Sequence, residues 1–136
     1  MVRRDFAEAA EHEHLAIIAA LLEACRFCER PENRERLLEM LAQPQYVGAP
    51  IQALRMSMAG TFDYGNGRVE KQPQFHVFAG EGVNEPSLEK AQWVVRNLLS
   101  SGLVKDPALV PEDRAAAWFR ADIFDHATSL LTTTHP

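Results

Sequence analysis

Cys25 and Cys28 stand in the order Cys-Arg-Phe-Cys. That spacing can hold a zinc ion or cycle between dithiol and disulfide. Zinc takes four ligands, commonly with a second cysteine or histidine pair at similar spacing. The chain offers no such pair, and His12 and His14 lie well back on the same predicted helix. A redox pair works when the first cysteine begins a helix and its thiol pKa is lowered. Both cysteines here fall near a helix end, inside its apolar arc, and read as small buried hydrophobes. His12-Glu13-His14 is no metal pair either, because residues i and i+2 of a helix point to different sides. Both histidines are expected at the surface.

His76 lies between Phe75 and Phe78. An imidazole there can donate a hydrogen bond to an anion, or it can be a satisfied, half-buried polar group. Tyr64, Asn66 and Arg68 form a glycine-rich polar turn. Such a turn can present backbone N–H groups and a guanidinium to an anion, or it can be only a turn. Tyr64, Asn66, Arg68 and His76 are the candidate ligand-binding residues. No Ser-His-Asp or Cys-His arrangement, no Walker-type or dinucleotide glycine loop and no paired carboxylates stand out. Asp63, Asp113, Asp122 and Asp125 are explained by turns and helix starts. The expectation is a protein that is not an enzyme, with no metal site and no cofactor.

The elements that must carry these residues are mostly helices. From about Asp5 to Cys28 the pattern predicts one long amphipathic helix. Leu15, Ile17, Ile18, Leu21, Leu22, Cys25 and Cys28 fall on one wide arc of it. Pro31 starts a second helix, where its missing N–H costs nothing. Glu32 and Glu35 lie in its first turn, Leu37, Leu38 and Leu41 form its stripe, and Gln43-Pro44 closes it. Pro50 opens a third helix with Ile51, Leu54 and Met58 on one side and Gly60 as a left-handed cap. Thr61 to Val69 reads as an irregular loop, and Gln74 to Phe78 alternates polar and apolar as a short strand. Asn84-Glu-Pro-Ser87 starts a helix to about Ser100, with Leu88, Ala91, Val94, Val95, Leu98 and Leu99 together. Trp93 points to a second surface, and Gly102 ends the helix. Asp106-Pro107 and Val110-Pro111 mark a connector. Asp122 caps a last helix carrying Ile123, Ala127, Leu130 and Leu131, and residues 132–136 read as a frayed tail.

The 136 residues fit one domain or a piece of one. No repeat or long linker divides them. Net charge is −5, so no basic field exists for nucleic acid or anionic lipid. Any anion site must be local. No apolar run is long enough to span a membrane. Arg3, Arg4 and the stretch Leu15–Leu22 imitate parts of an export signal, but four acidic residues from Asp5 to Glu13 interrupt it. The expectation is a cytoplasmic chain as written.

Longer motifs carry a resemblance. Pro31-Glu-Asn-Arg34 follows a helix and leads to Pro44-Gln-Tyr-Val47. Phe62-Asp-Tyr-Gly-Asn-Gly67 precedes Phe75-His-Val-Phe78. Asn84-Glu-Pro-Ser87 precedes Trp93, and Arg120-Ala-Asp-Ile-Phe-Asp-His-Ala127 closes the series. In this order, over about Glu23 to Ala127, the chain resembles the nitrate/bicarbonate-binding family of ABC-importer solute-binding proteins. Ser101-Gly102 stands where many members have Trp-Gly, and Phe124 replaces a tyrosine.

The resemblance implies a mainly α segment with minimal strand, the C-terminal part of a type II periplasmic-binding-protein α/β fold. It implies a small inorganic anion (nitrate, nitrite or bicarbonate) as ligand. The N-terminal remainder of the solute-binding protein and a transporter permease would be partners. A periplasmic location follows if a longer parent carries an export signal. Two other readings stay open. One is part of a cytoplasmic nitrate-sensing or transporter-regulating protein of the same fold. The other is a free-standing helical protein using Cys25 and Cys28.

Overall fold

A computed structural model describes residues 2–111, 114 and 116–133. The described residues are mainly helical: α1 (Arg4–Ala9), α2 (Glu11–Glu29), α3 (Arg34–Leu41), α4 (Ile51–Ala59), α5 (Leu88–Ser100) and α6 (Ala121–Thr133). Strands β1 (Thr61–Asp63) and β2 (Val69–Lys71) complete the set, with short 3₁₀ turns at Pro31–Asn33, Pro107–Leu109 and Ala116–Trp118. Two compact units emerge. One joins the chain up to Leu21 with the chain from Glu85 onward, and the other is Leu22–Asn84.

The first unit is built on α5. Ser87 caps it by accepting the Lys90 N–H, and Gly102 ends it in the left-handed region, φ 71°. Its buried stripe is Ala91 and Val95, against which Leu99, Val110 and Phe119 pack. Leu88, expected in that stripe, is exposed because it begins the helix. Asp106 accepts the Ala108 N–H and so caps the turn at Pro107.

The long N-terminal helix is broken. Ala10 leaves helical geometry at φ −132°, ψ 53°, and α1 ends there. In α2 the buried residues are Leu15, Ala19 and Leu22, a narrower stripe than the expected arc. Ile17 and Leu21 are 48% and 61% exposed. The i, i+4, i+7 spacing decides which side reaches a neighbour. The final helix begins at Ala121, one residue before Asp122. Asp122 therefore lies in the first turn, not at the cap. Its carboxylate instead pairs with Arg120 (2.5 and 2.7 Å). That hydrogen bond, first, holds its pKa down to about 2. α6 includes Thr132 and Thr133, which were expected to fray. The rest of that tail and Asp113 lie outside the described residues.

In the second unit, Leu37 and Leu38 of α3 are buried. Arg55 of α4 donates to both oxygens of Glu35 in α3 (2.8 and 3.2 Å). The segment expected as a loop is a hairpin: Thr61 pairs Lys71, Phe62 pairs Glu70 and Asp63 pairs Val69, antiparallel. Gly65, Asn66 and Gly67 turn it with φ of 79°, 53° and 78°, angles that only glycine and, at some cost, asparagine take readily. The expected strand at Gln74–Phe78 is irregular. Alternation there is real, but a strand exists only by pairing. The local turn pairs β1 with β2 instead.

Gly60 closes α4 at φ 60°. A Cβ there would lie 2.2 Å from the Gln72 carbonyl oxygen, whereas one at Gly67 would meet nothing within 4 Å. Gly60→Ala should therefore lower unfolding free energy by about 2 kcal/mol or more. Gly67→Ala should cost only the left-handed penalty, about 1 kcal/mol. Urea denaturation followed by circular dichroism measures both.

Candidate functional site

The four candidate residues all belong to the second unit, in and after the hairpin. The hairpin turn is closed on itself. The Tyr64 N–H donates to the Arg68 carbonyl (2.9 Å), the Arg68 N–H to the Gly65 carbonyl (2.9 Å) and the Gly65 N–H to Asp63 Oδ1 (2.8 Å). Arg68 donates from Nε and Nη2 to Glu70 Oε1 (2.9 and 2.7 Å). Its guanidinium also sits 4.8 Å from the Tyr64 ring centre, a cation–π distance. Asn66 supplies the backbone angle at the tip. The donors that could meet an anion are thus engaged within the turn, beside two carboxylates that would repel it.

His76 is placed differently. Its Nε2 lies 2.6 Å from Ser57 Oγ in the last turn of α4. Its ring stands edge-on to Phe75 (4.8 Å) and stacks on Phe78 (5.8 Å). Phe75 in turn meets Phe62 of β1 edge-on (4.7 Å). Hydrogen bonds bring no carboxylate to the other ring nitrogen of His76 among the described residues. A hydroxyl and an imidazole together can donate to an oxyanion that displaces their mutual bond. Tyr64, Arg68 and His76 therefore share one aromatic row, but only His76 has a donor aimed at a second element.

Glu29, at the end of α2, went unnoticed in the sequence. Its Oε2 accepts the N–H groups of Phe78 (2.7 Å) and Ala79 (3.0 Å). These bonds, Ala79 first, hold its carboxyl below the ordinary range. Asn84 Nδ2 donates to the Phe78 carbonyl (2.9 Å). The loop carrying His76 is thus tied at both sides of Phe78. No local pattern signals these contacts, since the partners lie about 20 to 50 residues apart in sequence.

Cys25 and Cys28 are free thiols, half-buried where full burial was expected. Burial first, and Cys25 second, pushes the Cys28 thiol up, the reverse of what a redox nucleophile needs. No group of three or more metal-ligating side chains gathers among the described residues. His14 is half-buried, not at the surface: Phe6 packs edge-on at 6.2 Å, and its Nδ1 is buried with no hydrogen-bond partner. No described helix is long and apolar enough to cross a membrane.

No protein-family profile matches the chain, and no solved structure matches it. Curated relatives do. The chain is 35% identical over 106 residues to the bicarbonate transport ATP-binding protein CmpC of Synechococcus elongatus, covering 78% of this chain and 15% of that protein. It is 34% identical over 95 residues to the nitrate import ATP-binding protein NrtC of Synechocystis, covering 69% and 14%. It is 28% identical over 93 residues to the nitrate/nitrite binding protein NrtA of Synechococcus elongatus, covering 68% and 21%. The chain therefore spans about a seventh to a fifth of these relatives' lengths. It is related to segments of nitrate and bicarbonate transport proteins.

Because the Glu29 carboxyl is held low, its contribution to stability is full above its ordinary value near 4.5 and is lost as pH falls through the lowered folded value. Glu29→Gln should flatten the acid limb of the urea midpoint between pH 5 and pH 3, an interval of about two units around ordinary carboxylate values. It should also speed amide exchange at Phe78 and Ala79. An unchanged acid limb and exchange rate would sink the tether.

Proposed function

We propose that this chain is the C-terminal portion of a small-anion-binding component of an ABC importer, working by binding and not by catalysis. Nitrate, nitrite and bicarbonate are the ligand class. In this reading the segment belongs to a type II periplasmic-binding-protein fold, and its partners are the N-terminal remainder of that fold and the permease. The observation that carries the reading is one stretch shared by two kinds of relative. Matches of 106 and 93 residues in a chain of 136 necessarily overlap over much of their length. One relative is named for binding nitrate and nitrite, the other for binding ATP. This chain has no Walker-type loop, so the shared stretch fits a solute-binding role better than a nucleotide site.

The engaged donors of the hairpin turn support a limited part for this segment. It supplies scaffold, and most of the anion cage comes from elsewhere in the fold. A second reading has its own support: identity to the ATP-binding proteins, 34–35%, exceeds the 28% to the binding protein. There the segment belongs to a binding-protein-like regulatory domain attached to the transporter ATPase, where the anion sets transport rate.

The test replaces the matched stretch of the Synechococcus elongatus nitrate/nitrite binding protein with this chain and titrates nitrate by calorimetry. The chimera should keep nitrate affinity within about tenfold of its parent, a change of roughly 1.4 kcal/mol. The isolated chain should give no heat at micromolar nitrate or bicarbonate. A folded chimera that has lost nitrate, or stoichiometric micromolar binding to the isolated chain, overturns the reading.

A further inference from the structure

α5 has a second face. Away from Ala91 and Val95, the side chains of Trp93, Val94 and Leu98, with Leu103 beyond the helix end, border an open groove of about 390 Å³. Trp93 is 60% exposed and Leu103 78%. Asn97, Ser100 and Ser101 complete the lining, and each turns its polar group onto the helix itself. Asn97 Nδ2 donates to the Trp93 carbonyl (2.7 Å), Ser100 Oγ to the Asn97 carbonyl (3.3 Å) and Ser101 Oγ to the Leu98 carbonyl (3.3 Å). Water can leave this lining without stranding those groups. None of the seven residues is charged, in a chain of net charge −5.

The chain also exposes more surface than its mass accounts for. Its accessible surface is 10225 Å². A compact 15.3 kDa monomer exposes about 7,100 Å², and two separate half-mass bodies still only about 8,600 Å². The excess, about 1,600 Å² or more, is of the size that one partner buries in a permanent interface.

We propose that a second copy of this chain covers this face, as a twofold pair of antiparallel α5 helices. The face is self-complementary: a projecting indole lies beside an apolar groove, so a twofold axis can seat each Trp93 against the partner's Leu98 and Leu103. Two copies of an acidic chain repel, and this uncharged strip is where they meet without opposed carboxylates. Antiparallel helices also set opposite dipole ends side by side. The proposal stands apart from the importer reading and needs neither anion nor transporter. In longer proteins such as the relatives, other polypeptide would compete for the same strip.

Sedimentation equilibrium of the full chain, from micromolar to hundreds of micromolar, decides the matter. A Trp118→Phe background lets fluorescence report Trp93 alone. The chain should dimerise, with Trp93 emission moving to shorter wavelength as dimer forms. Leu103→Glu should raise the dissociation constant about tenfold or more. Leu109→Glu, at a site 70% exposed but outside the groove, should leave it unchanged. Circular dichroism should be alike in all variants, because both leucines are exposed. A monomer at every concentration overturns the proposal and leaves the strip to a different polypeptide. A dimer weakened equally by both substitutions, or by neither, overturns it as well.

Discussion

Between β2 and α5 runs a stretch with no fully buried side chain, so polar contacts must hold it. The Glu29 carboxylate is the longest-range of these, gathering the N–H groups of Phe78 and Ala79 from about 50 residues away. A charged acceptor on two backbone donors is stronger than two neutral bonds. It also leaves no donor of that bend unsatisfied. Gln72 N–H on the Gly60 carbonyl (2.6 Å) fixes the start of the stretch, Ser57 on His76 its middle and Asn84 on Phe78 its end. The aromatic row of Phe62, Phe75, His76 and Phe78 follows from these ties. Loosening Glu29 would free the residues that place His76 against Ser57.

Apolar burial is thin elsewhere too. The fully buried hydrophobic side chains are Leu15, Ala19, Leu22, Leu37, Leu38, Ala91, Val95 and Ala127. Three of these are alanines, which contribute little transfer free energy each. Meanwhile two tryptophans and several leucines, valines and phenylalanines remain in contact with solvent. A chain balanced this way gains much from any partner that covers its apolar faces. The overlap with segments of much longer transport proteins and the self-complementary strip on α5 are two consequences of the same shortage.

The hairpin illustrates how a plausible anion cradle can be spoken for. Its left-handed tip and its arginine have the chemistry of an anion nest. Yet Asp63 takes the Gly65 N–H and Glu70 takes the guanidinium. Those internal pairings shape the turn and cancel its positive potential. His76 and Ser57 keep a polar pair at the surface, held by packing between rings, and theirs is the more adaptable donor set.

Local chemistry was legible from residue order. Ser87 and Asp106 as caps, Gly60 and Gly102 as helix ends, Pro31 at a helical start and the glycine turn at 65–67 each act within a few residues of themselves. The paired leucines Leu37 and Leu38 and the Ala91/Val95 stripe follow from helical periodicity, which is likewise local. What depended on distant partners was decided only by the tertiary structure. That includes which side of α2 is covered, the pairing of β1 with β2 in place of a strand at Gln74–Phe78, the Glu29 tether, and the meeting of Ser57 with His76. Periodicity says that a residue can face a neighbour, while the presence of that neighbour is settled by the rest of the chain's packing.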